Sequence, residues 1–262
     1  MAPTLAQILD TTRAGLAELR AREPQLERAA AAAPTPPRFT PAFGGRRVAL
    51  VAEVKRRSPS AGVIRDDLDP AERAERYAGH GAAAVSVLTD GPFFGGSIGD
   101  LEAVARRVAI PVLRKDFILD EAQILEARVA GASAVLLIVR ALPVARLRAL
   151  LGFTRTSGLD ALVEIHTGAE LDVALEAGAR VLGVNSRDLD TFRIDVDAAW
   201  RLLGRVPRDC VAIAESGMST TADVERAAAA GADGVLVGTA LSAAADPATQ
   251  VRSLAGVLRH GR

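Results

Sequence analysis

The chain has 262 residues, of which 49% are hydrophobic and only 3% aromatic, so its core must be aliphatic. Its 32 basic and 32 acidic residues cancel, whereas a general binder of nucleic acid or of an anionic membrane needs an excess of Lys and Arg. One cysteine, Cys210, excludes an intrachain disulfide and a cysteine zinc cage, and His80, His166 and His260 lack metal-ligand spacing, so no metal is expected. The opening MAPTLAQILDTTRAGL has no apolar core of a signal sequence, and no stretch approaches membrane-span length. A soluble cytoplasmic protein is expected.

Thr4 to Arg22 places Leu5, Ile8, Leu9, Leu16 and Leu19 at helical spacings and reads as an amphipathic helix. A second helical stretch runs from Gln25 through Ala29 to Ala33. Pro34 to Gly45, PTPPRFTPAFGG, breaks regular structure and reads as a linker or ordered loop. Residues 1–47 therefore form a helical extension with a linker, and 48–262 the main body.

From Val48 one pattern repeats: a short apolar run, polar residues, then a helical stretch. The runs are Val48 to Val54, Ala83 to Leu88, Ile110 to Lys115, Ser133 to Ile138, Asp160 to Ile165, Arg180 to Asn185, Cys210 to Ser216 and Asp233 to Gly238. They are continuously apolar, as in parallel strands covered by helices on their outer face. Glycine closes most of the helices, at Gly81, Gly131, Gly178 and Gly231. Eight βα units point to a single closed (β/α)8 TIM barrel, an α/β fold. An open doubly wound sheet is the rival, weakened by the lack of a GxGxxG turn.

Barrel active sites form where strands end. Two of the 32 basic residues are lysine and the rest arginine. Lysine supplies a compact charge with a tunable pKa, which arginine cannot. Both lysines, Lys55 and Lys115, fall at strand ends, in AEVKRRSPS and LRKDF. Glu53, Glu164 and Glu215 end their own strands, so several acid/base pairings converge. Asn185 and Arg187 follow the sixth strand. The structural alternatives are that Glu53 and Glu215 only neutralise the lysines, and that Glu164 and His166 form a scaffold pair. His166 is expected to cap or point into its loop. Cys210 begins a strand and reads as a packed thiol, and Tyr77 and Trp200 as packing. Ser216 and Gly217 after the seventh strand, with Gly238 and Thr239 after the eighth, fit a backbone phosphate site.

The motifs AEVKRRSPSAG, SVLTDGPFFGGS, LRKDFILDEAQI, LVEIHT, GVNSRDL and AESGM closely resemble indole-3-glycerol phosphate synthases of tryptophan biosynthesis, from about Val48 to Leu258. The amphipathic N-terminal helix is similar to the helix that this family carries over the C-terminal face of the barrel. The resemblance implies a carboxy-lyase. It closes the ring of 1-(2-carboxyphenylamino)-1-deoxyribulose 5-phosphate and loses carbon dioxide and water to give indole-3-glycerol phosphate. Lys115 would deliver a proton to the developing alkoxide, and Glu164 and Lys55 would serve dehydration. Glu53 would hold the lysines, and Asn185, Glu215 and Ser216 would position polar groups of the ribulose chain. Ser58 and Arg187 would take the anthranilate carboxylate, with Pro59, Phe94, Phe117 and Leu136 walling its ring. Lys55, Ser216, Gly217, Gly238 and Thr239 would hold the phosphate. A bulky residue at Gly238 is expected to weaken phosphate binding while leaving the lysines in place. No cofactor is called for, and no nucleic-acid or membrane partner. Monomer, homodimer and association with other tryptophan-pathway enzymes all stay open. The alternatives on the same fold are a Schiff-base lyase using Lys115 and a non-catalytic phosphate-ligand-binding barrel.

Overall fold

In the computed structural model, which describes residues 3–261, each aliphatic run becomes a short parallel strand. The strands are β1 (Ala49–Val54), β2 (Ala84–Leu88), β3 (Val112–Lys115), β4 (Ala134–Ile138), β5 (Asp160–Ile165), β6 (Val181–Asn185), β7 (Val211–Glu215) and β8 (Gly234–Val237). They close in the order β1-β8-β7-β6-β5-β4-β3-β2. Closure removes every sheet edge, and the covering helices take the outer apolar faces, so alternation of polar and apolar residues is not needed. The expected strands and the closed barrel are therefore present, with ends shifted by one or two residues. Gly81, Gly131, Gly178 and Gly231 all take positive φ at the helix-to-strand joints, as their positions implied.

The N-terminal extension runs down one side of the barrel from top to bottom. Helix α1 (Leu5–Ala21) starts from a capping box in which Thr4 and Gln7 satisfy each other's backbone amides. It lies on the rim of the C-terminal face. There the Leu5 amide donates to Asp190 in the loop after β6, and Arg20 pairs with Asp120 after β3 at 2.6 Å. Leu5, Ile8, Leu9 and Leu16 are buried in the main core. Helix α2 (Glu23–Ala32) packs Leu26 and Ala30 on Leu125 of the helix Glu121–Val129. Arg128 of that helix donates to the carbonyls of Ala33 and Pro34.

The proline-rich stretch that follows is an ordered plug. Thr40–Phe43 forms a turn of 3-10 helix beneath the barrel, and the Thr40 amide donates to Asp160 at the start of β5. Phe39 and Phe43 are fully buried and meet edge-on with ring centroids 5.1 Å apart. In a chain so poor in aromatics, these two rings fill the bottom of the barrel. Cys210 is buried at the start of β7, and Tyr77 is fully buried, both as expected. Among the described residues no helix is long and apolar enough to cross a membrane.

Gly234 opens β8 directly above the plug. A Cβ built there would stand 2.6 Å from the Phe43 ring and 3.0 Å from the Ala49 carbonyl. Gly234→Ala should therefore cost about 1–3 kcal/mol by overpacking. Thermal denaturation should show the loss, and Phe43→Leu in the same chain should recover part of it. Equal stability of Gly234→Ala and parent would contradict the tight fit.

Candidate active site

Register places the ionisable side chains in one ring at the C-terminal face. Lys115 is the last residue of β3, Glu53 and Glu164 are next to last in β1 and β5, and Asn185 and Glu215 stand opposite each other at the ends of β6 and β7. Glu164 pairs across to Gly183 of β6. A side chain on Gly183 would run into the Glu215 carboxylate, so the glycine clears the space that this carboxylate occupies.

The Lys115 ammonium lies 3.0 Å from Glu164 Oε2 and 3.5 Å from Glu215 Oε2. Lys55 Nζ sits 2.7 Å from Glu53 Oε1. Burial works to strip Lys115 of its proton, but Glu164, then Glu215 and Glu53, outweigh it and hold its pKa above the ordinary lysine value. The ammonium stays charged. Burial likewise pushes the Glu164 carboxyl up, yet Lys115 and then His166 overcome this and hold it below the usual carboxylate range. Glu215 goes the other way. Burial raises it, Lys115 only partly offsets that, and the neighbouring Glu164 and Glu53 raise it further. Two carboxylates around one lysine are thereby split into a charged one and a readily protonated one, the arrangement that acid/base chemistry needs.

These groups face a cavity of about 570 Å³, within the range of small-molecule sites. Every residue that the sequence marked for catalysis, substrate binding or phosphate binding lines it. Ser58 and Pro59 enter on a ribbon, Arg57–Ser58 paired with Gly62–Val63, which periodicity did not reveal. Phe94 and Phe117 stand 6.3 Å apart across the cavity wall beside Leu136. The first ring is set by Asp90, which caps the one-turn helix Gly91–Phe94 by accepting from the amides of Phe93 and Phe94. The second is set by a buried network. Asp116 accepts from the Phe117 amide, Gln123 donates to the Phe117 carbonyl, and Arg114 ties Asp116 to the carbonyl of Gln123. Arg187 donates to the Phe192 carbonyl and has no carboxylate within ion-pair distance among the described residues.

At the far end, Ser216 and Gly217 take φ of +66° and +72°. A left-handed serine is strained backbone, and such residues gather at functional sites. Gly238 precedes the short helix Thr239–Ala243, whose Ser242 hydroxyl accepts from the Lys55 amide and donates to the Glu53 carbonyl. This link corrects one expectation. A Cβ on Gly238 would press into the Glu53 carboxylate and lie 3.0 Å from Lys55 Nζ, so a bulky residue there disturbs the lysine as well as any anion.

Asp90, Asp116, Phe192, Ile194 and Met218 also line the cavity and were not singled out in the sequence. Asp90 carries a readable signal, an aspartate ahead of Gly-Pro at a helix start. The others reach the cavity only through loop geometry.

Charged acid/base pairs, an aromatic wall and a small-residue pocket on the C-terminal face of a (β/α)8 barrel define an enzyme for a small phosphorylated substrate. The family model described as indole-3-glycerol phosphate synthase matches residues 5–254, and the chain belongs to that family. It is 52% identical over 234 residues to indole-3-glycerol phosphate synthase 2 of Streptomyces coelicolor, covering 89% of this chain and 91% of that protein. It is 43% identical over 260 residues to indole-3-glycerol phosphate synthase of Desulfosudis oleivorans, covering 97% and 99%. Among solved structures, 3-hexulose-6-phosphate synthase from Salmonella typhimurium matches with a TM-score of 0.63 at 22% identity, over 80% of this chain and 98% of that one. Thiamine phosphate pyrophosphorylase from Pyrococcus furiosus matches at 0.61 and 15% identity, over 80% and 94%. These two likenesses show the barrel fold.

The raised Glu215 carboxyl has a cost in stability. The unfolded chain ionises this group near the ordinary carboxylate value while the folded site resists, so its contribution falls as pH rises between the two. Glu215→Gln removes that dependence. Its melting temperature relative to the parent should climb from about pH 5 to about pH 8. A difference that stays flat across this window would show that Glu215 is not raised.

Proposed function

We propose that this chain is a cytoplasmic lyase that converts 1-(2-carboxyphenylamino)-1-deoxyribulose 5-phosphate to indole-3-glycerol phosphate, with loss of carbon dioxide and water. The observation that carries this reading is the Lys115 ammonium held charged between Glu164 and Glu215 at 3.0 and 3.5 Å, facing the same cavity as the Lys55–Glu53 pair. Ring closure turns a ketone into an alkoxide. A buried ammonium stabilises that charge as it develops and supplies the proton. Loss of water then needs a base near the ring-closed carbon and an acid at the departing hydroxyl. The ionised Glu164 suits the first role and Lys55 the second. Glu53 orients Lys55, while Asn185, Glu215 and Ser216 hold the hydroxyl-bearing chain.

Arg187, with no carboxylate partner of its own, suits the substrate carboxylate together with Ser58. Pro59, Phe94, Phe117 and Leu136 wall the aromatic ring. Lys55 with Ser216, Gly217, Gly238 and Thr239 suits the phosphate. The barrel 48–262 is the catalytic unit, and residues 5–43 of the extension 1–47 brace its rim, flank and base.

The charge state of Lys115 speaks against the Schiff-base alternative, which requires a free amine as nucleophile. A non-catalytic barrel leaves three buried glutamates and two half-buried lysines around a cavity without purpose, at a desolvation cost that binding alone does not require.

Purified protein given this substrate should develop indole fluorescence, and a protein that leaves the substrate unchanged would end the reading. Lys115→Arg keeps the charge but not the compact donor, and kcat should fall at least ~10²-fold in a folded protein. For the phosphate, Gly217→Ala is a cleaner probe than a change at Gly238. A Cβ at Gly217 stands 2.8 Å from Val196 and needs a left-handed backbone, without touching either lysine. KM should rise severalfold, inorganic phosphate should compete less well, and kcat should change little. Unchanged phosphate competition would move the anion elsewhere.

A further inference from the structure

Two buried polar atoms beside the Lys115 pair lack hydrogen-bond partners, Glu164 Oε1 and His166 Nε2. They face each other at 3.6 Å. The His166 side chain is 5% exposed and that of Glu164 1%, so both are shielded from bulk solvent. On the other side of the ring, His166 Nδ1 lies 3.2 Å from Glu170 Oε2. Glu170 is itself fixed, because Oε2 accepts from the His166 amide at 2.7 Å and Oε1 from Arg140 Nε at 3.3 Å. Arg140 continues to Asp188 at 3.0 Å. The imidazole is thus clamped in orientation by the first turn of the helix Gly168–Ala177, with Nε2 aimed at the oxygen of Glu164 that Lys115 does not hold.

Ionised carboxylate oxygens only accept hydrogen bonds, and here one faces each ring nitrogen. Both nitrogens must carry hydrogen for both contacts to be satisfied. We infer that His166 is a positioning residue for Glu164, a doubly protonated ring that is held by Glu170 and donates from Nε2 to Glu164 Oε1. A shift of about half an ångström closes the present gap to hydrogen-bond length, and such contacts commonly tighten when substrate fills a site. The ring then fixes the Glu164 carboxylate and adds a second positive neighbour that keeps it ionised.

Around Glu164 the other facing groups are Lys115 on β3 and Glu215 on β7, with Asn185 on β6. Around His166 they are Glu164 and Glu170, with Arg140 and Asp188 behind Glu170. The charge order from the cavity outward is Lys115, Glu164, His166, Glu170, Arg140, alternating in sign at every step. No member of this row is buried beside a like charge without an opposite one between them, except where Glu215 shares Lys115. His166 does not itself line the cavity among the described residues, so it acts through Glu164.

The inference rests on the reading of Glu164 as the base, and the test separates the two. The full chain has three histidines, so 15N-histidine labelling gives a spectrum in which His166 is assigned by its loss in His166→Gln. At neutral pH both His166 nitrogens should show shifts of the protonated ring. Glu164→Gln and Glu170→Gln should each move them while His80 and His260 stay in place. A single neutral tautomer, or signals indifferent to Glu164→Gln, overturns the proposal whatever the enzyme's activity. In kinetics, His166→Leu should lower kcat about tenfold and move the acid limb of the kcat/KM profile up by about one pH unit, because Glu164 loses a cationic neighbour. His166→Gln, which restores a donor but no charge, should recover part of kcat and leave the limb displaced. An unmoved acid limb in both folded variants overturns the role of His166. Full activity of Glu164→Gln would instead overturn the reading of Glu164 as base.

Discussion

The Lys115 ammonium is buried with too many carboxylates around it, and the rest of the site follows from that. A charge taken from water must be paired, and a pair taken from water must have its remaining valences met. Glu164 and Glu215 cannot both be fully ionised against one lysine at low cost, so their pKa values separate. Gly183 is small because Glu215 lies over it, and Gly238 is small because Glu53 and Lys55 lie over it. The glycines of the mouth are thus as much part of the electrostatics as the charged residues.

Most of the fold was legible in the sequence because a closed parallel barrel writes itself plainly. Eight aliphatic runs separated by helical stretches, five of them entered just after a left-handed glycine, leave little room for another topology. The extension was harder. Its first helix shows a clear apolar stripe, but Pro34 to Gly45 reads as broken structure. Nothing local says that Phe39 and Phe43 turn under the barrel, since the partners of this turn, Gly234 for Phe43 and Asp160 for the Thr40 amide, lie more than a hundred residues away. The ribbon carrying Ser58 and Pro59 escaped for a different reason: two-residue strands have no period to detect.

The site was legible to the extent that strand ends are. Lys55 and Lys115 stand out because the chain otherwise uses arginine, and Glu53, Glu164 and Glu215 fall at the ends of aliphatic runs. What could not be read was the separation of the carboxylates into charged and protonated forms, which depends on distances between strands. His166 illustrates the limit. Its neighbour Glu164 is visible in the motif, but whether the ring faces that carboxylate, solvent or the core is settled by Glu170 one helical turn away.

The barrel closes where β1 meets β8, and that seam is bound by several contacts from outside the sheet. Arg47 bridges to Leu258, the Val48 amide donates to Val257, and Arg259 reaches both Asp233 and the Phe43 carbonyl. All but the Arg259–Asp233 contact join segments from opposite ends of the chain. Contacts this distant in sequence carry the largest loop-closure entropy, so closing the seam is the most costly of the barrel's pairings to form. During biosynthesis the first strand waits, with its hydrogen-bonding edge open, until the eighth has left the ribosome. Phe43 of the plug packs against Gly234 of that eighth strand, so the base of the barrel and its seam are completed together.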